Sequence, residues 1–266
     1  MSIAGRPVVI TTGSMNRLGA LRKALKTWMA LKEVDRIFIV DWGSAVPLKQ
    51  SLQDFTTVDS RICIVRVLGQ KHWCNSKCHN LEMRLLEPGS LWLRLDNDTL
   101  VRKDFFERHP WKVGEFYAGN WRTVPLEIDD KRNLAGTLFI DPKYVLDVNG
   151  YNERLVHYGR EDDELYARLS IRGYRWRELD LSILEHISHS DRFRYENLSI
   201  VRDLVGSDKK SIWGERKEVP DAQSMLISLS NRIIAETPWT ALDRMTEWKC
   251  YHLSEQYWEC RQLQGV

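Results

Sequence analysis

The stretch Leu91-Trp92-Leu93-Arg94-Leu95-Asp96-Asn97-Asp98 carries the most informative pattern, an apolar run that ends in two carboxylates one residue apart. Such a run is typical of a buried strand. Because side chains alternate between the two faces of a strand, Asp96 and Asp98 are predicted to point to the same side. Carboxylate oxygens suit a hard divalent cation such as Mg²⁺ or Mn²⁺. In the structural alternative, Asp96 begins a turn and Asp98 caps the helix that follows.

Strands and helices alternate around this stretch. Strands are predicted at residues 7–12, 36–40, 61–67 and 91–95, and helices at residues 16–31 and 75–86. The alternation predicts an α/β fold with a parallel central sheet that has helices on both faces. Ligands of such sheets bind at the carboxyl ends of the strands. Polar side chains follow several of these ends, namely Thr11, Thr12, Asp41, Asp96 and Asp98.

The second half of the chain has a different pattern. Strands are predicted at residues 116–121, 135–141, 174–179 and 183–187, helices at 142–148 and 161–172, and a polar loop at 123–133. From Ser190 onward the pattern is helical, and Ala241, Met245, Trp248 and His252 form a stripe at helical spacing. We therefore expect one domain over residues 1–191, divided near residue 100 into two halves. A helical extension over residues 192–266 should pack on the same domain.

Composition limits the class of protein. The chain has 266 residues, of which 43% are apolar, and a net charge of +2. This small net charge produces no strong electrostatic field that would attract nucleic acid, and we do not expect nucleic acid as a partner. No apolar run approaches the roughly 20 residues that span a bilayer, and residues 1–6 lack the pattern of a signal peptide. Five cysteines without metal-binding spacing are expected as free thiols of a reducing compartment. We expect a cytoplasmic protein, with peripheral binding to the cytoplasmic face of a membrane and the oligomeric state left open.

A second acidic cluster, Glu161-Asp162-Asp163-Glu164, follows Gly159-Arg160. In the structural alternative these acids complement the dipole of a helix, and Glu164 pairs with Arg168 one turn later. Four consecutive acids also repel one another and exceed what capping requires. In a functional site this repulsion would keep one carboxylate basic enough to accept a proton.

Two histidines follow the last predicted strand, His186 and His189. Each could bind a metal through neutral imidazole, or serve as a structural side chain. The acids beside them, Glu185 and Asp191, raise the metal-binding interpretation to equal weight with the structural one.

The order of the motifs points to a family. The order is Thr11-Thr12-Gly13-Ser14, Asp41, Asn80, Asp96-Asn97-Asp98, Asn149-Gly150-Tyr151-Asn152-Glu153, Tyr158-Gly159-Arg160-Glu161-Asp162-Asp163-Glu164-Leu165-Tyr166-Ala167-Arg168-Leu169 and the His186 segment. Over about residues 7–191 the chain resembles the metal-dependent glycosyltransferases of the GT-A fold. This resemblance implies a Rossmann-like, mixed but mostly parallel central sheet flanked by helices. Its second part resembles most the β-1,4-galactosyltransferases, the bacterial chondroitin-polymerase type and the polypeptide N-acetylgalactosaminyltransferases.

The resemblance implies a role for each matching residue. Donor nucleotide-sugar binding falls to Thr11, Thr12, Gly13, Arg17, Asp41, Lys77, Asn80, Asp96 and Asn97. Metal binding falls to Asp96, Asp98, His186 and His189, and the two histidines are not distinguished. Catalysis falls to Asp162 as general base, with Glu161 beside it, and acceptor binding to Tyr158, Arg160 and Asp163. Tyr158 stands where the family has Trp and Arg160 where it has Gly, which puts the acceptor's identity in doubt.

The expected activity is transfer of a hexosyl or N-acetylhexosaminyl group from a nucleotide-sugar, expected to be a UDP-sugar, to a glycan or glycoconjugate hydroxyl. The metal is expected to be Mn²⁺, with Mg²⁺ as the alternative, and the mechanism inverting. Three alternatives remain: a retaining enzyme of the same fold, a nucleotidyltransferase and an inactive carbohydrate-binding protein. A nucleotidyltransferase would need a Gly-rich phosphate loop after the first strand, and Thr12-Gly13-Ser14-Met15-Asn16-Arg17 has one Gly.

Overall fold

The computed structural model describes residues 3–125, 131–155, 159–188, 239–240 and 242–263. The strands are β1 (Val8–Ser14), β2 (Val34–Asp41), β3 (Ile62–Leu68), β4 (Leu91–Arg94), β5 (Thr99–Val101), β6 (Glu115–Ala118), β7 (Leu138–Ile140), β8 (Arg175–Glu178), β9 (Leu184–His186), β10 (Trp248–Ser254) and β11 (Tyr257–Gln262). The helices are α1 (Leu18–Trp28), α2 (Leu48–Ser51), α3 (Gln53–Val58), α4 (Asn75–Arg84), α5 (Phe105–Arg108), α6 (Pro142–Asp147) and α7 (Glu161–Ile171).

Nine of these strands form one twisted sheet in the order β10-β11-β3-β2-β1-β4-β7-β6-β8. Strands β11, β3, β2, β1 and β4 are parallel to one another, and β6 is parallel to β8. Strand β7 is antiparallel to both of its neighbours, and β10 is antiparallel to β11. The predicted mixed, mostly parallel sheet is therefore confirmed.

The central strands are apolar along their whole length because both faces of the sheet are covered. In β1, Val8 and Ile10 pack into one core, and Val9 packs into the core on the other face. Helix α1 covers the first core with Leu21, Leu25 and Trp28. Helix α4 covers the second core, so β1 and its carboxyl end are held between two helices.

A second, two-stranded sheet lies beyond the end of β4. Strand β5 pairs antiparallel with β9, and Thr99 lies opposite His186. The backbone N–H of Ile187 also donates to the carbonyl of Asp98 at 2.8 Å. This pairing brings the end of the second half of the chain to the end of β4.

The C-terminal part differs from the predicted helical extension. Residues 248–262 form the hairpin β10–β11, and β11 extends the main sheet by pairing parallel with β3. The spacing of Trp248 and His252 was therefore wrongly interpreted as helical; Trp248 and Cys250 instead alternate with the more exposed Lys249 and Tyr251, as in a half-buried strand. Residues 192–238 lie outside the described residues, and the domain division remains a prediction.

Cys250 and Cys260 face each other across this hairpin and form a disulfide. The prediction of five free thiols is wrong for this pair, while Cys63, Cys74 and Cys78 are free. Structural disulfides persist in oxidising environments, so the cysteines no longer support a reducing compartment. Among the residues that the structure describes, none of the helices combines the length and apolar character needed to cross a membrane.

Candidate active site

The acidic segment after β4 leaves the strand earlier than its sequence predicts. Strand β4 ends at Arg94, and the N–H of Thr99 donates to the carbonyl of Asp96 at 3.0 Å, which closes a turn. The alternation that would place both carboxylates on one side therefore does not apply. Asp96 contacts Arg94, whereas Asp98 contacts Arg17.

Asp98 lies in a buried position between the two halves of the chain. Its Oδ2 accepts a hydrogen bond from Arg17 Nη2 at 2.7 Å and lies 3.6 Å from His186 Nε2. Asp98 and His186 are 3% and 6% exposed. The structure thus brings together two of the four predicted metal ligands, and it does so through the β5–β9 pairing.

Asp96 and the second acidic segment meet on one arginine. Arg94, 1% exposed, donates from Nη2 to Asp96 Oδ1 at 3.1 Å and from Nη1 to Asp162 Oδ1 at 2.5 Å. Nη1 also donates to the hydroxyl of Tyr151 at 2.9 Å. A buried guanidinium is stable only when it is paired, and here two carboxylates neutralise it.

Glu161 is the most buried of the four acids that begin α7, at 4% exposed. One carboxylate oxygen accepts a hydrogen bond from the Asn75 amide, and Trp73 in turn donates its indole N–H to Asn75. The other oxygen, Oε2, has no hydrogen-bond partner among the described residues. A buried acceptor left in this state is a candidate ligand contact.

Burial changes the acidity of both residues. It raises the pKa of Glu161 to about 8, and the negative charge of Asp162 acts in the same direction. Burial also raises the pKa of Asp162, while the adjacent Arg94 cation opposes that shift. Perturbed carboxyl groups side by side are typical of sites that transfer protons.

Three of the predicted donor residues have structural contacts. Thr11 bridges the indole N–H of Trp92 and the carboxylate of Glu82. The Asp41 carboxylate, 1% exposed, accepts from the backbone N–H groups of Ser44 and Leu48 and from Arg66. The Asn80 side chain hydrogen-bonds the backbone of Tyr151 and the carboxylate of Glu153, and so fixes the Asn149–Glu153 segment. Their donor roles stay predictions, since their side chains already hold the fold together.

Buried polar atoms lie at the carboxyl end of β1 and just after β4, two of them on the predicted donor residues Thr12 and Asn97. Thr12 Oγ1, Ser14 Oγ and Asn97 Oδ1 are buried and have no hydrogen-bond partner among the described residues. Asn97 Nδ2 donates to the carbonyl of Gly13 at 3.1 Å. A Cβ at Gly13 would lie 2.5 Å from both Cys78 Sγ and the Trp73 ring, so only glycine fits there. Lys77 lies partly exposed in the first turn of α4.

The acceptor-binding candidates have mixed outcomes. Asp163 accepts a bidentate pair of hydrogen bonds from Arg122 at 3.0 and 2.9 Å and a third from the Trp121 indole. Arg160 has a φ of 79°, the left-handed conformation that favours glycine, immediately before α7. Tyr158 and His189 lie outside the described residues.

A buried cluster of possible metal ligands lies under this site, formed by Cys78, His79 and Glu82 of α4. Their ligand atoms lie within 4.8 Å of one another, the only such trio in the described part of the chain. Hydrogen bonds within the cluster and from Thr11 account for the Glu82 carboxylate. We interpret it as a polar link between α4 and β1.

The residues around Asp98 fit a divalent cation. A carboxylate and an imidazole, both nearly buried, lie side by side at the carboxyl edge of a mostly parallel sheet. Carboxylate oxygens suit Mg²⁺ and Mn²⁺, and a neutral imidazole nitrogen is a common metal ligand. Asp96 is paired with Arg94 instead, and His189 lies outside the described residues, so two of the four predicted ligands meet here.

Sequence reasoning missed Arg94, Asn75 and Tyr151. Arg94 is the one charged residue of the apolar run Leu91–Leu95, and this position was a usable signal for a buried, paired cation. Asn75 and Tyr151 gave no such signal, because their contacts with Glu161 and Arg94 join parts of the chain that are distant in sequence.

The chain has the fold of the GT-A glycosyltransferases, and the predicted resemblance to that group is confirmed. Residues 124–190 match a family described as the N-terminal domain of galactosyltransferase. A comparison with curated protein sequences finds no match.

Three solved structures share the fold. They are a mannosyltransferase from Pyrobaculum calidifontis with GDP-Man and Mn²⁺ (13% identity, TM-score 0.54, 66% of this chain and 56% of that one), GalNAc-T7 with UDP, GalNAc and Mn²⁺ (12%, 0.57, 69% and 44%) and the catalytic domain of Drosophila β1,4-galactosyltransferase 7 with xylobiose (10%, 0.57, 98% and 95%). The chain therefore spans about half the length of the first two and nearly all of the third.

Proposed function

We propose that the protein is a metal-dependent, inverting glycosyltransferase that moves a sugar from a nucleotide-sugar, in the first instance a UDP-sugar, to a hydroxyl of a glycan or glycoconjugate. The observation that carries this proposal is the meeting of the two acidic segments on Arg94, which lies 3.1 Å from Asp96 and 2.5 Å from Asp162. Donor-side and acceptor-side carboxylates thus share one edge of the sheet.

The donor would bind along the end of β1. Thr12 and Asn97 offer buried polar atoms that have no partners among the described residues. Asp98 and His186 would hold the metal, which would supply countercharge for the leaving diphosphate. Solved structures of the same fold were obtained with GDP-Man and Mn²⁺ and with UDP and Mn²⁺, which supports this part of the proposal.

The acceptor would bind at the start of α7. Asp162 would take the proton of the acceptor hydroxyl. At the same time the hydroxyl oxygen would bond to the anomeric carbon of the donor sugar, and the bond from that carbon to the diphosphate would break. Glu161, protonated in part at neutral pH because its pKa is raised to about 8, would orient that hydroxyl through its unpaired Oε2. One base opposite the leaving group implies inversion of the anomeric configuration.

A retaining reaction is the second candidate, because GalNAc-T7 shares the fold at a TM-score equal to that of the galactosyltransferase. The configuration of the product distinguishes the two. An inactive carbohydrate-binding protein would bind glycans without turning over any nucleotide-sugar.

The experiment is a screen of UDP- and GDP-sugars, with and without Mn²⁺, by thermal shift, followed by product analysis with glycan acceptors. We expect one donor class to stabilise the protein only with metal and to be transferred. The variant Asp54→Asn is the control, since Asp54 lies at the surface beside Arg22, away from this site. Absence of metal-dependent transfer with every donor would refute the proposal.

A further inference from the structure

The most unusual feature of the site is the burial of Arg94 between two segments that the family resemblance treats separately. Its side chain is 2% exposed, and those of Asp96 and Asp162 are 36% and 20% exposed. The arginine thus lies beneath both carboxylates, and the carboxylates reach from it toward the solvent side of the cleft.

The surroundings of Arg94 leave room for this arrangement and little else. A Cβ at Gly136 would lie 2.5 Å from Arg94 Nη2 and 2.6 Å from Asp96 Oδ2. Tyr151 contributes its hydroxyl, and its ring packs on His79 at 4.9 Å. Side chains from β4 and α7, a glycine before β7 and the Tyr151 segment therefore enclose one ion cluster.

We propose that Arg94 is a positioning residue that orients Asp162 as the base, with Asp96 as its second anchor. The inference rests on the proposed function, because it assigns a role in that reaction. A guanidinium is suited to it, since its planar fork can bind two carboxylates at once, whereas a lysine ammonium on the same stem is a point charge.

The positive charge also opposes the effect of burial on Asp162. Burial favours the neutral acid, which could not accept a proton, and Arg94 favours the carboxylate. The other groups that act on Asp162 are His79, which also favours the carboxylate, and Asp96, which disfavours it. Arg94 donates a hydrogen bond directly to the Asp162 carboxylate at 2.5 Å.

The test is a double-mutant cycle with Arg94→Met, Asp162→Asn and the double variant, in which transfer kcat and the affinity for UDP with Mn²⁺ are measured separately. We expect Arg94→Met to lower kcat by on the order of 10²-fold, near the lower bound for loss of a positioned base. In the Asp162→Asn background the same change should cost less than about threefold, because Arg94 acts through Asp162.

Two further variants separate positioning from folding. Arg94→Lys keeps the charge without the fork, should fold and should recover part of the kcat lost in Arg94→Met. If Arg94→Met does not fold, the cycle is measured with Arg94→Lys. Arg61→Met is the matched control, because Arg61 pairs with Asp59 and bonds backbone carbonyls far from the site. It should lower the melting temperature and leave kcat unchanged.

Each result has a distinct meaning. Additive losses in the double variant, or a normal kcat in folded Arg94→Met, would overturn this inference while the proposed function stands. A wild-type protein without metal-dependent transfer would overturn the proposed function and this inference with it.

Discussion

The two acidic segments of this protein contain the same kind of residue and are built in different ways. Asp96–Asp98 follows a strand and is arranged by side-chain contacts: Asp96 with Arg94, two residues earlier, and Asp98 with the distant residues Arg17 and His186. Glu161–Glu164 begins a helix, where the spacing of the backbone decides which side chains point inward. Glu161 and Glu164 are buried, and Glu164 pairs with Arg168 at 2.6 Å within the same helix.

The difference teaches which acids are free to do chemistry. Glu164 pairs with Arg168 and Asp163 pairs with Arg122, so a purely structural role accounts for both acids. Glu161 keeps one unpaired oxygen among the described residues, and Asp162 lies on the Arg94 cluster. The helical segment therefore divides into two structural and two candidate functional acids, whereas the two carboxylates of the strand segment contact different groups, Arg94 for Asp96 and Arg17 for Asp98.

The sharpest test of this division is Asp162→Asn. The change keeps the shape and removes the base, so we expect transfer to fall by on the order of 10²–10⁴-fold while UDP–Mn²⁺ binding persists. Calorimetry and steady-state kinetics measure the two quantities. Asp163→Asn is the comparison within the same segment, and it should leave transfer kcat near the wild-type value because Asp163 is held in a structural pair with Arg122. A near-normal rate for Asp162→Asn would move the base to Glu161.

The strand segment is tested by Asp98→Asn and His186→Ala. Both should weaken Mn²⁺-dependent UDP binding by at least about tenfold, the loss found when even supporting residues of a metal site are removed. Asp98→Asn can still accept the hydrogen bond of Arg17, so its fold should persist. His189→Ala is the comparison, and an effect there with none at His186 would transfer the ligand assignment.

The buried state of Glu161 predicts a pH dependence of stability. Its folded pKa is raised to about 8 by burial, so the folded protein binds more protons than the unfolded chain between the unfolded value and about 8. This contribution is complete below the unfolded pKa and is lost as the pH rises toward 8. Urea unfolding from pH 5 to 8 should therefore show a steeper fall of the unfolding free energy in the wild type than in Glu161→Gln. Equal slopes would contradict the assignment.

The smallest expected effect concerns the start of α7. Arg160 adopts a φ of 79°, which costs a residue with a Cβ roughly 1–2 kcal/mol. Arg160→Gly should raise the unfolding free energy by about 0.5–1 kcal/mol after the extra entropy of glycine in the unfolded chain. Arg160→Ala keeps the Cβ and serves as the control. A gain equal in both variants would show that backbone strain is not the cause.

Sequence patterns predicted the elements that depend on local order. The alternation of apolar runs and amphipathic helices predicted the parallel core and the helices α1, α4 and α7. The polar residues at the ends of the predicted strands indicated the edge of the sheet at which the candidate site lies. The C-terminal hairpin was missed because Trp248 and His252 fit helical and strand spacing equally in so short a stretch. Its pairing with β3 and its Cys250–Cys260 bond depend on partners elsewhere in the chain.

The sequence by itself determined the class of fold, the two acidic segments and the residue types available for metal binding and proton transfer, because these follow from periodicity and side-chain chemistry. Tertiary structure decided which of those residues meet. The β5–β9 pairing brings His186 to Asp98, and the burial of Arg94 joins Asp96 to Asp162 across a separation of 66 residues in the chain. Such contacts arise from packing between distant segments, and local sequence carries no record of them.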